Sequence, residues 1–476
     1  MFFQRLYDTK LAQASYLIGC QRTGEALVVD PSRDVEQYVA AAAKERLRVT
    51  HVTETHIHAD FLSGARELAR RAGALLLLSD EGDADWKYGY AAGDGARPQR
   101  DGDHFMVGNV RLEVLHTPGH TPEHLSFVVT DTPAGAGPWG VLTGDFVFVG
   151  DVGRPDLLEK AAGLTGTMEA SARTLFRSLQ RFRALPDHLQ LWPGHGAGSA
   201  CGKALGAVPS STVGYEKVAN WGLACTDEAT FVCEVLAGQP EPPPYFARMK
   251  RLNRDGPPLL GDRARPPRLP VERLADAAHR DGGDGPLLVD LRPVAAFAAG
   301  HLPGAINIPH NASFTNWAGW LLPYDRDLWL IADEGAVDGA VRDLATIGLD
   351  RVTGWFAPEA VAERGAAAAG RLETVTQTNP AELAARLARG EVNVVDVRAR
   401  SEWEAGHLPG VPNIPLGELP HRLAELPAGK PLVLHCQGGT RSSIAASVLQ
   451  AAGVTDVQNL AGGFGAWRDG GGEVEK

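Results

Sequence analysis

Apolar and polar positions follow two rhythms along the first half of the chain. Short apolar runs read as strands: "EALVVDP" (25–31), "RVTHVTETH" (48–56), "VRLEVLHTPGH" (110–120), "LSFVVTD" (125–131) and "GVLTGDFVF" (140–148). Between them lie stretches with helical spacing: "DVEQYVAAAAKERL" (34–47), "FLSGARELARRAG" (61–73) and "TMEASARTLFRSLQRFRAL" (167–185). Strands interleaved with helices over about 250 residues predict a large α/β sandwich. The pattern breaks at "RDGPPLLGDRARPPRLP" (254–270), which is rich in Pro, Gly and Arg, has no periodicity and reads as a linker.

The second half repeats itself. "VDLRPVAAFAAGHLPGAINIP" (289–309) recurs without gaps as "VDVRARSEWEAGHLPGVPNIP" (395–415), so Asp290 matches Asp396 and His301 matches His407. Each copy opens on an apolar strand, passes a polar helical turn and a Gly-His-Leu-Pro-Gly turn, and returns to a strand. Two copies of one parallel-sheet α/β domain, each of about 100 residues, are predicted. The expected division is 1–253, a linker at 254–270, and copies at 271–370 and 371–476, with 364–380 joining the copies.

Composition narrows the function. The chain has 476 residues, 44% hydrophobic and 22% charged, as in a globular protein with full cores. A net charge of −12 argues against nucleic acid or an anionic membrane as the main partner. There is no apolar run of membrane-spanning length, and the first residues lack a signal-peptide layout. A cytoplasmic location is expected. The five cysteines, Cys20, Cys201, Cys225, Cys233 and Cys436, are few, odd in number and scattered, which fits a reducing compartment better than a disulfide framework.

Four strand ends carry metal-ligand residue types: "THIHAD" (His56, His58, Asp60), "HTPGHTPEH" (His116, His120, His124), "LTGDFVF" (Asp145) and "WPGHGAG" (His195). Loops at strand ends are where an α/β scaffold presents chemistry. Taken in this order, the four segments resemble the metallo-β-lactamase fold superfamily over about residues 1–250, and most closely its persulfide dioxygenase branch. The resemblance implies an αββα sandwich in which His56, His120 and Asp145 hold one Fe(II) per chain, with zinc as the alternative. Two imidazoles and one carboxylate would leave about half of an octahedron open. Phe61 follows Asp60, where two-metal sites of this pattern carry a further histidine. His58, Asp60 and His195 are then expected to stand behind the ligands, orienting them and donating to substrate. His116 and His124 read as structural. Arg154, in "GDVGRPD", is a candidate grip for an anionic thiol, set against a loop arginine paired with Asp151 or Asp156. Cys201, in "GHGAGSACGK", could hold a persulfide near the metal, set against a small buried residue.

"LVLHCQGGTRSS" (432–443) joins an apolar strand to a helical pattern through a Gly-rich loop. Backbone N–H groups of Gln437, Gly438, Gly439 and Thr440 can form an anion nest, and a helix N-terminus beneath favours a Cys436 thiolate. Arg441 could hold an oxyanion before the sulfur. With "GHLPGVPNIP" and "GGFGAW", the loop resembles the rhodanese sulfurtransferases over about residues 375–476. A protein phosphatase loop of the same length is the rival. The first copy has Ala332 and Asp333 where the cysteine is expected and no cysteine between Cys233 and Cys436. It is predicted to be silent, a spacer or interface domain.

Together the resemblances imply a persulfide dioxygenase fused to a sulfurtransferase and serving sulfide detoxification. The expected partners are a low-molecular-weight thiol persulfide, dioxygen, and sulfite or thiosulfate, with neither nucleic acid nor membrane; such metal domains often pair, so a homo-oligomer is expected. The alternatives are a binuclear zinc thioester hydrolase resembling glyoxalase II fused to a sulfur carrier, and a binding protein using the copies as interaction modules.

Overall fold

The structure, a computed structural model, describes residues 1–160, 166–203, 205–277, 285–366 and 372–476. The chain forms two compact units: Met1–Arg263 with Ala345–Gly348, and Ala264–Leu344 with Leu349–Lys476. The expected boundary between residues 370 and 371 lies outside the described residues.

The first unit is built on two six-stranded sheets. One has the order β1 (Phe2–Asp8), β2 (Gln13–Cys20), β3 (Glu25–Val29), β4 (Arg48–Thr53), β5 (Leu75–Ser79) and β6 (Arg97–Gln99), antiparallel through β3 and parallel from there. The other runs from β7 (His104–Val107) through β8 (Val110–His116), β9 (Leu125–Asp131), β10 (Gly140–Gly144) and β11 (Gln190–Pro193) to β12 (Ser211–Thr212). β2 and β3 are buried on both faces, which is why they read as nearly continuous apolar runs. Their alternate residues go to different layers. Tyr16, Ile18, Leu27 and Val29 meet Leu112, Val114, Phe127 and Val129 between the sheets. Leu17, Ala26 and Val28 point outward to Tyr38, Leu68 and Ala69 of the helices Glu36–Lys44 and Ala65–Ala72. On the opposite outer face, Val128 and Val141 pack with Leu175, Leu179 and Phe231 of the helices Met168–Phe182 and Glu228–Leu236. The result is the expected αββα sandwich.

The second unit holds two four-stranded parallel sheets. The first has the order β14 (Ile306–Asn307), β13 (Leu287–Asp290), β15 (Leu328–Ile331), β16 (Val352–Phe356). The second has the order β17 (Thr376–Thr378), β20 (Val457–Leu460), β19 (Leu432–His435), β18 (Asn393–Asp396). The repeat is thus two parallel α/β domains. They touch: the Asn307 N–H donates to Ser447 Oγ at 3.0 Å. A Cβ on Gly417 would come within 2.2 Å of the Trp320 ring, so the glycine lets that ring approach.

The segment expected to be a linker is only partly so. The helix Tyr245–Asp255 reaches into its start, and near its end the Leu269 N–H donates to Trp355 O at 2.8 Å on the edge of β16. Pro and Arg content pointed to irregular backbone but did not reveal that an open sheet edge would take it up.

Candidate functional site

In the first unit the strand ends and turns named by the sequence converge. His56 follows β4, His120 lies in the turn between β8 and β9, Asp145 directly follows β10, and His195 follows β11. His56 Nε2 and His120 Nε2 lie 3.9 and 3.7 Å from Asp145 Oδ2. Two ligands about 2.1 Å from one ion stand roughly 3 to 4 Å apart, so these spacings suit a single ion between the three groups.

The proton positions suit it as well. Thr55 Oγ1 donates to Asp30 Oδ2 (2.9 Å), so its lone pair faces His56 Nδ1 at 3.0 Å and receives that ring's proton. His120 Nδ1 donates to Arg154 O (2.9 Å) and His195 Nδ1 to Ala12 O (3.1 Å). Carbonyls can only accept, so each of these rings carries its proton on Nδ1 when neutral and keeps an Nε2 lone pair. Burial holds His56 well below the usual imidazole range, with the neighbouring imidazoles adding to the effect. Burial likewise lowers His120, outweighing Asp145. Asp145 is fully buried and neither carboxylate oxygen has a hydrogen-bond partner among the described residues. A dry, unpartnered carboxylate facing two neutral imidazoles fits a divalent cation and would be costly without one.

Three positioning residues were missed or undervalued. Asp30, at the end of β3, accepts the Thr55 backbone N–H at 2.6 Å and lies 3.1 Å from His58 Nε2, so it pins the His-x-His loop. Its backbone is left-handed, with φ of 51°, which aspartate tolerates better than most residues. The "VVDP" strand end was the available signal. Glu123 Oε1 accepts the Ile57 N–H at 2.7 Å and fixes the same loop from the other sheet. His124, expected to be structural, is fully buried and accepts the Asp145 N–H on Nε2 at 3.1 Å. Gly144 makes this approach possible: it has φ of +49°, and a Cβ there would lie 2.5 Å from Thr55 Oγ1 and 2.7 Å from His124 Nε2.

The residues expected behind the ligands divide. His58 turns Nε2 to Asp30; burial opposes its charge, but Asp30, Glu54 and Asp60 hold it up at about 9. The Phe61 ring is buried against the His58 ring, centroids 4.4 Å apart. Asp60, His195 and Cys201 instead form a second buried trio, their ligand atoms within 4.8 Å of one another. His195 Nε2 is 3.3 Å from Asp60 Oδ2 and 3.5 Å from Asp145 Oδ1. Burial, with the charges of Asp145 and Asp60, pushes the Cys201 thiol well above its ordinary value. Arg154 is fully buried and spends its fork on Asp156, with two contacts of 2.7 Å, and on Ala200 O.

In the second unit Cys436 begins the loop from β19 to the helix Thr440–Ala451. Its sulfur is buried and accepts from the Gly439 N–H at 3.1 Å and the Ser442 hydroxyl at 3.4 Å. The "GGFGAW" segment holds the loop from beneath: Phe464 N–H donates to Cys436 O (2.7 Å) and Gly465 N–H to Gln437 O (3.0 Å). A Cβ on Gly463 would lie 2.2 Å from Cys436 O, which explains the glycine. Arg441 forks onto Glu402 at 2.6 and 2.8 Å. Burial pushes Glu402 up, but Arg441 outweighs it and the carboxyl is lowered.

The first rhodanese-like copy, which lacks the cysteine, has a different connection at this point. Ile331 pairs with Asp290 as His435 pairs with Asp396, so Ala332 takes the place of Cys436. The next helix begins at Glu334, leaving two residues (332 and 333) where the second copy has four (436 to 439). The short connection has no room for a nest, and Asp333 and Glu334 add negative charge.

Comparison with known proteins agrees with this architecture. Residues 8–195 match the metallo-beta-lactamase superfamily, and residues 272–352 and 379–469 match the rhodanese-like domain. A beta-lactamase hydrolase-like protein from Xylella fastidiosa is 29% identical over 48% of this chain and 53% of its own, so the chain spans about half the length of the first curated relatives it matches. A mitochondrial persulfide dioxygenase from Bos taurus is 27% identical over 41% of this chain and 68% of its own. A crystal structure of a metallo-beta-lactamase from Staphylococcus aureus is 44% identical, with a TM-score of 0.67 over 75% of this chain and 99% of that one. These matches are to families of enzymes. With a buried site suited to a metal at its strand ends and a nested cysteine farther along, the chain is a member of the metallo-β-lactamase superfamily extended by two rhodanese-like domains.

Proposed function

We propose that the first unit is a one-iron persulfide dioxygenase and that Cys436 carries sulfur for a coupled sulfurtransferase. The observation that carries this reading is the convergence of two neutral imidazoles and one unpartnered carboxylate, His56, His120 and Asp145. Two histidines and one carboxylate with open positions are the ligand set of non-haem Fe(II) oxygenases. Fe(II) bound there would supply the redox chemistry that oxidises the terminal sulfur of a thiol persulfide to sulfite with dioxygen and water. The chain's own residues prepare the site. Thr55 and the Arg154 carbonyl hold the ligand rings in one tautomer, Asp30 and Glu123 fix the loop, and the buried surroundings exclude bulk water. The similarity to a persulfide dioxygenase supports the same reading.

At Cys436 the Gly439 N–H and Ser442 hydroxyl stabilise negative charge on sulfur. A sulfane sulfur held there as Cys436–S–SH passes to sulfite: the sulfite sulfur attacks the outer sulfur, the S–S bond breaks, and thiosulfate, the Cys436 thiolate and one proton result. Fe(II)-loaded protein given glutathione persulfide should consume oxygen and release sulfite; absence of oxygen uptake would sink the dioxygenase reading.

A two-metal zinc thioester hydrolase is the second reading, and the trio Asp60, His195 and Cys201 favours it. Metal content decides: about one ion per chain, rising when Phe61→His adds a ligand, supports the one-iron reading, while two zinc ions in the wild-type chain support the hydrolase.

A further inference from the structure

Of the carboxylate–guanidinium pairs in the copy that holds Cys436, two can be followed across the repeat. The buried Asp396–Arg398 pair recurs in the first rhodanese-like copy as Asp290–Arg292, so it goes with the fold. The Glu402–Arg441 pair does not recur. The gapless alignment sets Ala296 opposite Glu402. The second residue of the helix after the loop is Arg441 in one copy and Gly335 in the other. Two domains with equivalent sheets thus differ in this pair and in the cysteine together, which ties the pair to the sulfur. Arg441 Nη1 and Nη2 donate to the two Glu402 oxygens at 2.6 and 2.8 Å. Burial opposes the carboxylate, but Arg441 outweighs it, so Glu402 is ionised at neutral pH. Burial also opposes the guanidinium, while Glu402 and then Cys436 favour it, which puts Arg441 within electrostatic reach of the sulfur. A Cβ on Gly438 would meet nothing within 4 Å, so the loop is open to an incoming donor there.

We propose that Glu402 selects the sulfur donor by charge: it cancels the charge of Arg441 and so disfavours doubly charged donors relative to singly charged ones. The proposal rests on the reading of Cys436 as a sulfur carrier. An arginine free of its carboxylate would offer a full positive charge to an anion in front of the sulfur. Paired with Glu402, it leaves the Cys436 thiolate uncompensated, and each further negative charge on the donor is repelled. In the loading step the Cys436 thiolate attacks the outer sulfur of the donor. A Cys436–S bond forms, the donor's own S–S bond breaks, and its electron pair leaves with sulfite when the donor is thiosulfate. When the donor is methanethiosulfonate, CH3SO2S⁻, the pair leaves with methanesulfinate. Both routes give the anion Cys436–S–S⁻; charge balances, no proton moves and no oxidant is needed. Thiosulfate is also the product of the proposed transfer to sulfite, and a loop that binds it weakly lets it go.

The test compares thiosulfate with methanethiosulfonate, in which a methyl group replaces one charged oxygen, using cyanide as sulfur acceptor and the full chain as enzyme. The quantity read is the ratio of kcat/KM for thiosulfate to kcat/KM for methanethiosulfonate. Glu402→Gln keeps the size of the side chain and removes its charge, and should raise this ratio about tenfold at low salt. Glu402→Asp keeps the charge, and should hold the ratio within about twofold of the wild type. A purely structural role for Glu402 would lower transfer from both donors alike and leave the ratio where it was. An unchanged or lowered ratio in Glu402→Gln, loss of transfer from both donors in that variant, or an equal rise in Glu402→Asp overturns the proposal; with an active wild type, the sulfur-carrier reading still stands. A wild-type chain that transfers sulfur from neither donor overturns both. Neither assay needs iron or oxygen, so the dioxygenase reading is tested apart from this one.

Discussion

The metal centre and the cysteine loop are assembled in opposite ways. The first gathers Asp30, His56, His120, Asp145 and His195 from five separate loops of two sheets; apart from the His56 ring, which meets the adjacent Thr55, the hydrogen bonds that pin these residues come from positions distant in sequence, and at Asp145 the pinned group is the backbone N–H. The second is one run of chain, Cys436 to Ser442, whose sulfur is held by groups three and six residues on. A dispersed site can be loosened from many places, because its geometry depends on how two sheets pack. A contiguous loop depends on its own length and on the few residues beneath it. The first rhodanese-like copy illustrates this: it keeps its parallel sheet and the bidentate Asp290–Arg292 pair that matches Asp396–Arg398, yet its connection is two residues shorter and has no room for the nest.

Four changes would break or sharpen this contrast. The largest effect is expected from Cys436→Ser, which should lower sulfur transfer to cyanide by roughly a thousandfold or more while bound metal, measured by elemental analysis, stays the same. Loss of metal as well would mean that the two sites are not independent. Next, Asp30→Asn removes a charge that touches no expected ligand, and should weaken metal binding by about 10–100-fold in a chelator competition, with Cys436 transfer unaffected. The third change is a transplant. In a Cys436→Ser background, Ala332→Cys should restore less than about 1% of the transfer rate, since a thiol without its nest is a poor sulfur carrier. Substantial recovery would show that the residue, and not the loop length, silenced the first copy.

The smallest effect is a pH dependence of the metal-free chain. His58 is raised to about 9 by Asp30, Glu54 and Asp60 against burial. A raised imidazole contributes stability that is fully present below its unfolded value of about 6.5 and is lost as pH rises through about 9. Urea midpoints of chelator-treated protein should therefore fall between pH 7 and pH 9.5, and the fall should shrink in His58→Gln. An equal fall in both proteins would assign the titration elsewhere.

The parallel-sheet repeat, the sandwich and the order of the four ligand motifs could all be read before any coordinates, because each leaves a local mark. Strands buried on both faces become apolar runs, a duplicated domain repeats its letters, and a nest needs its glycines in sequence. Asp30, Glu123 and His124 left no such mark. Aspartate after a strand, glutamate in a turn and histidine beside a strand are common, and only the packing of the two sheets brings these three against Thr55, Ile57 and Asp145. The fates of Arg154 and Arg441 were equally undetermined, since a guanidinium beside several carboxylates has more than one possible partner; tertiary structure commits them to Asp156 and Glu402.

By itself the sequence determined which residues could do chemistry, since ligand type, nucleophile and loop length are properties of the chain. It also determined that the first rhodanese-like copy has no cysteine. Tertiary structure decided which ring nitrogens carry lone pairs toward Asp145, because a tautomer is set by whichever acceptor happens to face the other nitrogen. It further decided that the first rhodanese-like copy stands beside Gly438–Thr440 of the cysteine loop, since the groove between them exists only when residues 294–299 and 438–462 are folded together.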